Sequence, residues 1–175
     1  MKQILMTGDS ITDHFNTGLW LKEFNITNSG VSGNSSDDLL GRLHKDVIVP
    51  APNIVMILIG TNDLAQGRSI DYISGNIGKI VSQIKASLKA SEIFTTSVLP
   101  TLNNDPRPNG VIDELNKMII EVSEKHNSGY IDLHPVFRSS SGELKKEFTY
   151  DGLHLNEAGY RAWAEYLRPI LKKMI

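Results

Sequence analysis

The chain has 175 residues, of which 40% are hydrophobic and none is cysteine, and its formal net charge at pH 7 is -2. This length and apolar content suffice for the core of one domain, residues 1–175, without help from metals or disulfides. The absence of cysteine excludes a disulfide framework, a thiolate metal site and a cysteine nucleophile. The sequence pI near 6.2 offers no basic surface for nucleic acid or an anionic membrane.

The sequence pattern predicts neither a signal peptide nor a membrane-spanning segment. No apolar run approaches the roughly 20 residues that span a bilayer. The first predicted strand begins by residue 3, so we expect no signal peptide. We therefore expect a cytoplasmic protein whose partner is a small molecule rather than nucleic acid or a membrane. The composition does not predict an oligomeric state.

Short apolar runs alternate with longer amphipathic patterns along the chain. Residues 4–6 form an apolar run that ends at Gly8, which permits a sharp turn, so we predict a strand with Ser10 at its carboxyl end. A second strand is expected near residues 24–27, before a polar loop. The continuous apolar run 54–59 is typical of a central parallel strand that is covered on both faces.

Helical and extended patterns continue to alternate in the second half of the chain. Apolar residues recur at three- and four-residue steps over 70–88, which predicts a helix packed on a sheet. A final helix is expected from near Asn156, with Pro169 breaking or restarting it, because proline lacks the N–H donor that a helix interior needs. This alternation predicts a three-layer, doubly wound parallel sheet of the α/β class. Between the helix over 70–88 and the final helix, we expect a strand over residues 93–99, a helix over 111–122 and a strand over 130–133.

Polar residues with complementary chemistry follow the predicted strands. The carboxyl ends of parallel strands meet at one edge of a sheet, where open sheets bind their ligands. Hydrolysis of an acyl bond needs a nucleophile, a base, a group that orients the base, and donors for the oxyanion. Ser10 is the candidate nucleophile, His154 the general base and then acid, and Asp151 the orienting carboxylate. The N–H groups of Ser10 and Gly33 and the side-chain amide of Asn62 are the candidate oxyanion donors.

These candidates stand in four short sequence blocks that occur in a characteristic order. The blocks are GDSI at 8–11, NSGVSGN at 28–34, GTND at 60–63 and DGLH at 151–154. With these four blocks in this order, the chain resembles the GDSL-type esterases of the SGNH hydrolase superfamily, over residues 4 to about 160. Ile11 replaces the usual leucine of the first block, an apolar exchange without mechanistic consequence. The resemblance implies a flavodoxin-like three-layer fold, catalysis at the carboxyl ends of the strands, and the same five residues in the same roles.

Each candidate also has an ordinary structural role that competes with the catalytic one. A serine after a glycine is most often a turn former or a helix N-cap, and Asn62 with Asp63 is common turn chemistry. Gly33 could serve a tight turn alone, and His154 has the apolar neighbours of a core histidine. All five residues occur together and in order, which favours catalysis over these separate explanations.

Other classes of protein fit the sequence less well. The acids and histidines near the first and last blocks lack the HExxH or paired-histidine spacing of a metal-dependent hydrolase, so we expect no metal and no cofactor. The turn after the first strand has neither GxGxxG nor a P-loop lysine, and Ser10 lacks the glycines of GxSxG. A noncatalytic carbohydrate-binding module on the same fold stays an alternative, although it would normally have lost one of the five residues.

The remaining histidines lack an acid partner at a comparable spacing. We expect His44 and His126 on helix surfaces, His134 in a loop and His14 at the rim of the pocket.

The loops that are expected to rim the site are mostly polar. They suit a sugar ester held by Arg68 or Arg107, with Trp20 as a stacking face, better than a long acyl chain, which needs an apolar trough. The blocks most resemble the branch with carbohydrate acetylesterases and platelet-activating-factor acetylhydrolase-like enzymes. We therefore expect a small-acyl esterase, specifically a carbohydrate O-deacetylase, with a lysophospholipase or thioesterase as the alternative. The rim loops are residues 12–19, 64–69 and 102–110.

Overall fold

Five parallel strands form the central sheet of the protein, whose computed structural model describes all residues from 1 to 175. Their order across the sheet is β2-β1-β3-β4-β5. The chain adds β2 on one side of β1 and every later strand on the other, which opens a crevice at the carboxyl ends of β1 and β3. The predicted doubly wound parallel sheet is thus confirmed. The strands are β1 (Gln3–Gly8), β2 (Asn25–Gly30), β3 (Ile54–Leu58), β4 (Glu92–Thr96) and β5 (Gly129–Ile131).

Helices cover both faces of this sheet and make it the middle of three layers. One face carries α3 (Ser36–Leu43), its π-helical continuation (His44–Ile48), α5 (Ile70–Ser87) and α6 (Asn109–Lys125). The other face carries α1 (Ser10–Asp13), α2 (Thr17–Trp20), α7 (His134–Phe137) and α8 (Glu157–Met174). Two short segments complete the chain, α4 (Thr61–Ala65) directly after β3 and a 3-10 turn (Lys146–Phe148) before α8.

The strands divide their side chains between two apolar cores. Leu5 and Val55 belong to the core under α3, α5 and α6, whereas Ile4 and Met56 belong to the core under α8. The large indole of Trp163 fills the second core and is only 2% exposed. Successive residues of a strand face opposite sides, so a sheet that is covered on both sides needs unbroken apolar runs.

Helix α8 runs without interruption through Pro169, so the prediction that this proline breaks or restarts the helix is wrong. Pro169 lies on the solvent side of α8, and Glu165, whose carbonyl loses its N–H partner, is exposed as well. The opposite side of the helix buries Trp163, Leu167 and Leu171. Burial of that apolar side outweighs the local cost of one proline, because packing rather than propensity supplies most helix stability in proteins.

Among the strands, β2 and β4 end furthest from the residues predicted for them. β2 continues to Gly30, because its pairing with β1 extends as far as the Gly8–Gly30 pair. β4 stops at Thr96 instead of residue 99. The N–H of Ser97 still donates to the Ile131 carbonyl at 3.1 Å, but a side chain of α6 binds both backbone groups of Val98. The Oδ1 atom of Asn116 accepts the N–H of Val98 at 2.8 Å, and its Nδ2 donates to the Val98 carbonyl at 2.9 Å.

Candidate active site

Ser10 lies at the carboxyl end of β1, as the first residue of α1. Asp9 caps this helix, since its Oδ1 accepts the N–H of Ile11 at 2.9 Å. Gly8 is required here by close packing, because a Cβ at this position would lie 2.1 Å from the carbonyl oxygen of Leu58 in β3. The result is a tight junction at which Ser10 is 6% exposed, beside the crevice between β1 and β3.

A chain of hydrogen bonds joins Ser10 to the loop before α8. The hydroxyl Oγ of Ser10 lies 2.9 Å from Nε2 of His154. The other ring nitrogen of His154, Nδ1, lies 2.6 Å from Oδ2 of Asp151. With its proton on Nδ1, the imidazole presents Nε2 as an acceptor for the hydroxyl proton of Ser10. The structure therefore brings together the three residues that the sequence analysis singled out as nucleophile, base and orienting acid.

Asp151 is fixed by backbone N–H groups of the short loop that also carries His154. Its Oδ1 accepts the N–H of Leu153 at 2.9 Å and the N–H of His154 at 2.7 Å. Burial raises the pKa of the Asp151 carboxyl, but hydrogen bonds from the His154 ring and these two N–H groups outweigh burial and lower the pKa below its ordinary value. The carboxylate therefore stays charged and favours the proton on Nδ1 of His154.

Hydrogen bonds to Thr149 and to Leu102 hold the loop that carries Asp151 and His154. The Thr149 hydroxyl donates to the His154 carbonyl at 2.7 Å and accepts the N–H of Gly152 at 2.9 Å. On the other side, the N–H of Leu102 donates to the Gly152 carbonyl at 2.8 Å. Gly152 has a φ of +85°, and a Cβ there would lie 2.2 Å from the Leu102 carbonyl oxygen. Only glycine fits both the backbone conformation and this close approach.

The candidate oxyanion donors lie after β1, β2 and β3. Gly33 has a φ of +82°, and a Cβ there would meet no atom within 4 Å. Its N–H has no acceptor within the protein. The loop before it is held by Asp13, whose Oδ2 accepts both the N–H and the hydroxyl of Ser32, at 3.2 and 2.5 Å. Asn62 belongs to α4, and its Nδ2 donates to the Asn34 carbonyl at 3.0 Å, which uses one of its two hydrogens.

Sequence reasoning missed the state of Asp9. This residue is fully buried, and its Oδ2 has no hydrogen-bond partner. Burial raises the pKa of Asp9 to about 7, although the Ile11 N–H, the protonated form of His154 and the charge of Arg107 oppose that shift. The sequence block indicates only that an acid precedes Ser10. Its burial follows from how the strands and loops pack around it.

The residues proposed for sugar binding have different surroundings. The guanidinium of Arg107 contacts Asn62, with Nη2 3.2 Å from Oδ1. Arg68 instead forms an ion pair with Asp37 of α3. Trp20 packs against the core under α8 and is covered by a guanidinium of that helix at 5.5 Å. Of these three residues, Arg107 is the one in contact with a candidate site residue.

Two further histidines lie close to the elements of the site. His14, expected at the rim, is exposed, and its ring centroid lies 5.6 Å from that of His154. His134, expected in a loop, is instead buried as the first residue of α7. Its Nδ1 lies 3.0 Å from the Val98 carbonyl and its Nε2 lies 3.2 Å from Asp113. Those partners give His134 a structural position between α6 and α7.

The structure contains neither a cluster of metal-ligating side chains nor a helix that could cross a membrane. No three histidine, aspartate or glutamate side chains converge in a way that would ligate a metal ion. None of the helices combines the length and the apolar character that crossing a membrane requires.

Known proteins resemble this chain over most of its length. The sequence model of the family described as "GDSL-like Lipase/Acylhydrolase family" matches residues 6–162. An acetylxylan esterase of Geobacillus stearothermophilus is 25% identical over 157 residues, which cover 83% of this chain and 71% of that protein. The crystal structure of a GDSL-like lipase from Bacteroides thetaiotaomicron VPI-5482 superposes with a TM-score of 0.88 at 25% identity, covering 99% of this chain and 89% of the other.

A third kind of relative is much longer than this chain. An N-acylneuraminate cytidylyltransferase of Escherichia coli O18:K1:H7 is 30% identical over 175 residues. The match covers 98% of this chain but 41% of the cytidylyltransferase. The chain therefore spans less than half the length of that relative.

Proposed function

The chain belongs to the GDSL-like lipase/acylhydrolase family, and we propose that it is an ester hydrolase whose catalytic triad is formed by Ser10, His154 and Asp151. The proposed substrates are esters of short acyl groups, acetyl above all, carried by a carbohydrate. The observation that carries the proposal is the unbroken chain of hydrogen bonds, 2.9 Å from Ser10 to His154 and 2.6 Å from His154 to Asp151.

In the first half of the proposed reaction, the ester acylates the serine. Ser10 Oγ attacks the carbonyl carbon while Nε2 of His154 takes the hydroxyl proton. The negative charge that develops on the carbonyl oxygen is stabilised by the N–H groups of Ser10 and Gly33 and by the Asn62 amide. The bond from the carbonyl carbon to the alcohol oxygen then breaks, and the alcohol leaves with the proton held by His154. Asp151 stabilises the imidazolium throughout this step.

In the second half, water takes the place of the alcohol. Nε2 of His154 accepts a proton from the water, whose oxygen attacks the acyl carbon of the acyl-Ser10 ester. The carbon–Oγ bond breaks, Ser10 recovers its proton from His154, and the carboxylic acid leaves. The net reaction consumes one ester and one water and needs no other reactant.

Two features support a short acyl group on a sugar. Gly33 opens to solvent, since a Cβ built there would meet no atom beyond its chain neighbours within 4 Å, and the loops expected to rim the site are mostly polar. Beside His154, the ring of Tyr150 lies nearly parallel to the imidazole, at 6.1 Å and 13°, and this residue is 66% exposed. An exposed aromatic face next to the base suits a sugar ring as the leaving alcohol. The acetylxylan esterase among the relatives supports the same substrate class.

A nucleotidyl transfer activity is not part of the proposal. The cytidylyltransferase matches this chain over 41% of its length. The turn after β1 reads Gly-Asp-Ser-Ile, without the glycine-rich pattern or the lysine that would cradle phosphates.

The proposal is tested with p-nitrophenyl esters of increasing acyl length and then with acetylated xylo-oligosaccharides. Ser10→Ala and His154→Ala should each lower kcat by at least about 1,000-fold, and the double variant should be little worse, because residues that act as a unit are not additive. Ser87→Ala and His44→Ala, which change exposed residues on helical segments, are the matched controls. Substantial activity in Ser10→Ala, or loss of wild-type activity in EDTA, would contradict the serine mechanism.

The chain-length profile tests the substrate class separately from the triad. A matching apolar trough would favour binding by about 0.8 kcal/mol per methylene, about fourfold in affinity, so activity would rise steadily with length. We expect the opposite, with kcat/KM highest for acetyl or propionyl esters and falling beyond butyryl for every leaving alcohol. A maximum at octanoyl or longer would favour a lysophospholipase or thioesterase and leave the triad untouched.

A further inference from the structure

The side chain of Asn62 is held on both of its polar sides. Its Oδ1 accepts a hydrogen bond from Nη2 of Arg107 at 3.2 Å, and its Nδ2 donates to the Asn34 carbonyl at 3.0 Å. A guanidinium can only donate and a backbone carbonyl can only accept. Exchanging the oxygen and nitrogen of the amide would place donor against donor and acceptor against acceptor. The partners therefore allow a single orientation of the Asn62 amide.

Arg107 is itself anchored where it meets α4. Its Nε donates to the Thr61 carbonyl at 2.9 Å, and its Nη1 donates to Oδ1 of Asn104 at 3.2 Å. The backbone carbonyl of Arg107 accepts the Thr101 hydroxyl at 2.8 Å. The guanidinium therefore contacts both the Thr61 backbone and the Asn62 side chain at the start of α4. In this way it links the loop between β4 and α6 to Asn62.

We propose that Arg107 is a positioning residue for the oxyanion hole, which orients and polarises the Asn62 amide without touching the substrate. This inference rests on the proposed function, since it assumes that Asn62 donates to the oxyanion. A charged donor on Oδ1 draws electron density toward the oxygen and strengthens the Nδ2–H donors of the same amide. One of those hydrogens is bound to Asn34, so the second is the one available to a developing oxyanion.

The fork of the guanidinium is essential to this role. Arg107 contacts Thr61 through Nε and Asn62 through Nη2, two donors that are held in one plane. A lysine keeps the positive charge but replaces that plane with a single ammonium group on a flexible stem. Arg107→Lys should therefore recover only part of what Arg107→Ala loses.

The test is a double-mutant cycle on the short-acyl substrate, with kcat and KM measured for wild type, Arg107→Ala, Asn62→Ala and the double variant. Asn62→Ala should lower kcat by roughly a hundredfold with little change in KM. Arg107→Ala should lower kcat by about tenfold, also with little change in KM. The double variant should match Asn62→Ala, because an effect exerted through Asn62 vanishes when that amide is gone. Arg138→Ala, which breaks an ion pair with Asp113, is the matched control and should keep wild-type kcat.

Three results would overturn the inference. If Arg107→Ala raises KM and leaves kcat unchanged, the arginine binds substrate directly. If Arg107→Ala lowers kcat by the same factor whether or not the Asn62 side chain is present, Arg107 acts on the stability or shape of the fold and not through Asn62. If Asn62→Ala lowers kcat and Arg107→Ala does not, the inference fails while the proposed oxyanion role stands. An unchanged kcat in Asn62→Ala would instead refute the oxyanion role itself. Should Arg107→Ala not fold, the same cycle with Arg107→Lys decides between these results.

Discussion

Gly152→Ala is the substitution that most directly probes how the catalytic loop is built. The residue has a φ of +85°, which costs about 1–2 kcal/mol for any side chain with a Cβ. In addition, the new Cβ would lie 2.2 Å from the Leu102 carbonyl oxygen. Ordinary contacts lie at about 3.5 Å or more, so the two segments must separate by roughly 1 Å. Overpacking of this kind typically costs a further 1–3 kcal/mol or so.

Gly67→Ala is the matched control for this prediction. Gly67 has a φ of +75°, but a Cβ there would meet no atom within 4 Å, so this variant pays the backbone cost alone. Urea unfolding of both variants should show a loss of about 1–2 kcal/mol for Gly67→Ala and of about 2–5 kcal/mol for Gly152→Ala. The difference measures the contact between the Gly152 loop and Leu102.

The same pair of variants separates folding from catalysis. Gly152 lies next to Asp151 and two residues before His154, so a shift of roughly 1 Å in this loop should reduce kcat by about a hundredfold. Gly67 lies in the rim loop 64–69, but p-nitrophenyl acetate carries no sugar for that loop to contact, so Gly67→Ala should keep wild-type kcat with this substrate. If the two variants lose equal stability and Gly152→Ala keeps wild-type kcat, the loop does not position the imidazole in the way described.

Two further predictions concern stability. Burial raises the pKa of Asp9 from 3.8 to about 7, so the folded chain retains this proton between those pH values while the unfolded chain has released it. The free energy of unfolding should therefore fall as pH rises through this window, by at most about 4 kcal/mol. Asp9→Asn should remove that contribution in urea unfolding at about pH 5 and pH 8, and an unchanged pH dependence would contradict a buried, protonated Asp9. Pro169→Ala should raise the thermal unfolding midpoint, because it restores a helical hydrogen bond in a helix that proline weakens by up to about 3 kcal/mol. A lower midpoint would show that the stiffness of proline in the unfolded chain matters more.

The residues brought together at Ser10 were predictable from two patterns, a short loop that joins Asp151 to His154 and the shared edge of a parallel sheet. Asp151 reaches His154 within one short loop, where the carboxylate binds both the ring and the backbone N–H of His154. Ser10 and Asn62 follow β1 and β3, which pair directly. Once the apolar runs are assigned to parallel strands, these ends must meet at one edge of the sheet.

Other features depend on contacts that no local pattern encodes. Arg107 is one polar residue in a polar loop, and its role emerges only when that loop packs against α4 and contacts Asn62. The burial of Asp9 likewise depends on elements that are distant in sequence. At Pro169 the local rule predicted a break, whereas the buried side of α8 determines that the helix continues. The sequence pattern predicts His134 in a loop, but partners on α6 and after β4 bury it.

Covalent labelling with a fluorophosphonate tests the serine mechanism most directly. Such a reagent reacts with a serine that a neighbouring base activates, so intact-protein and peptide mass spectrometry can follow the label while hydrolysis of p-nitrophenyl acetate is measured in the same samples. We predict that one label per chain attaches to Ser10, that hydrolysis is lost in proportion, and that His154→Ala labels far more slowly. Label on another residue, or hydrolysis that survives complete labelling of Ser10, would contradict the account.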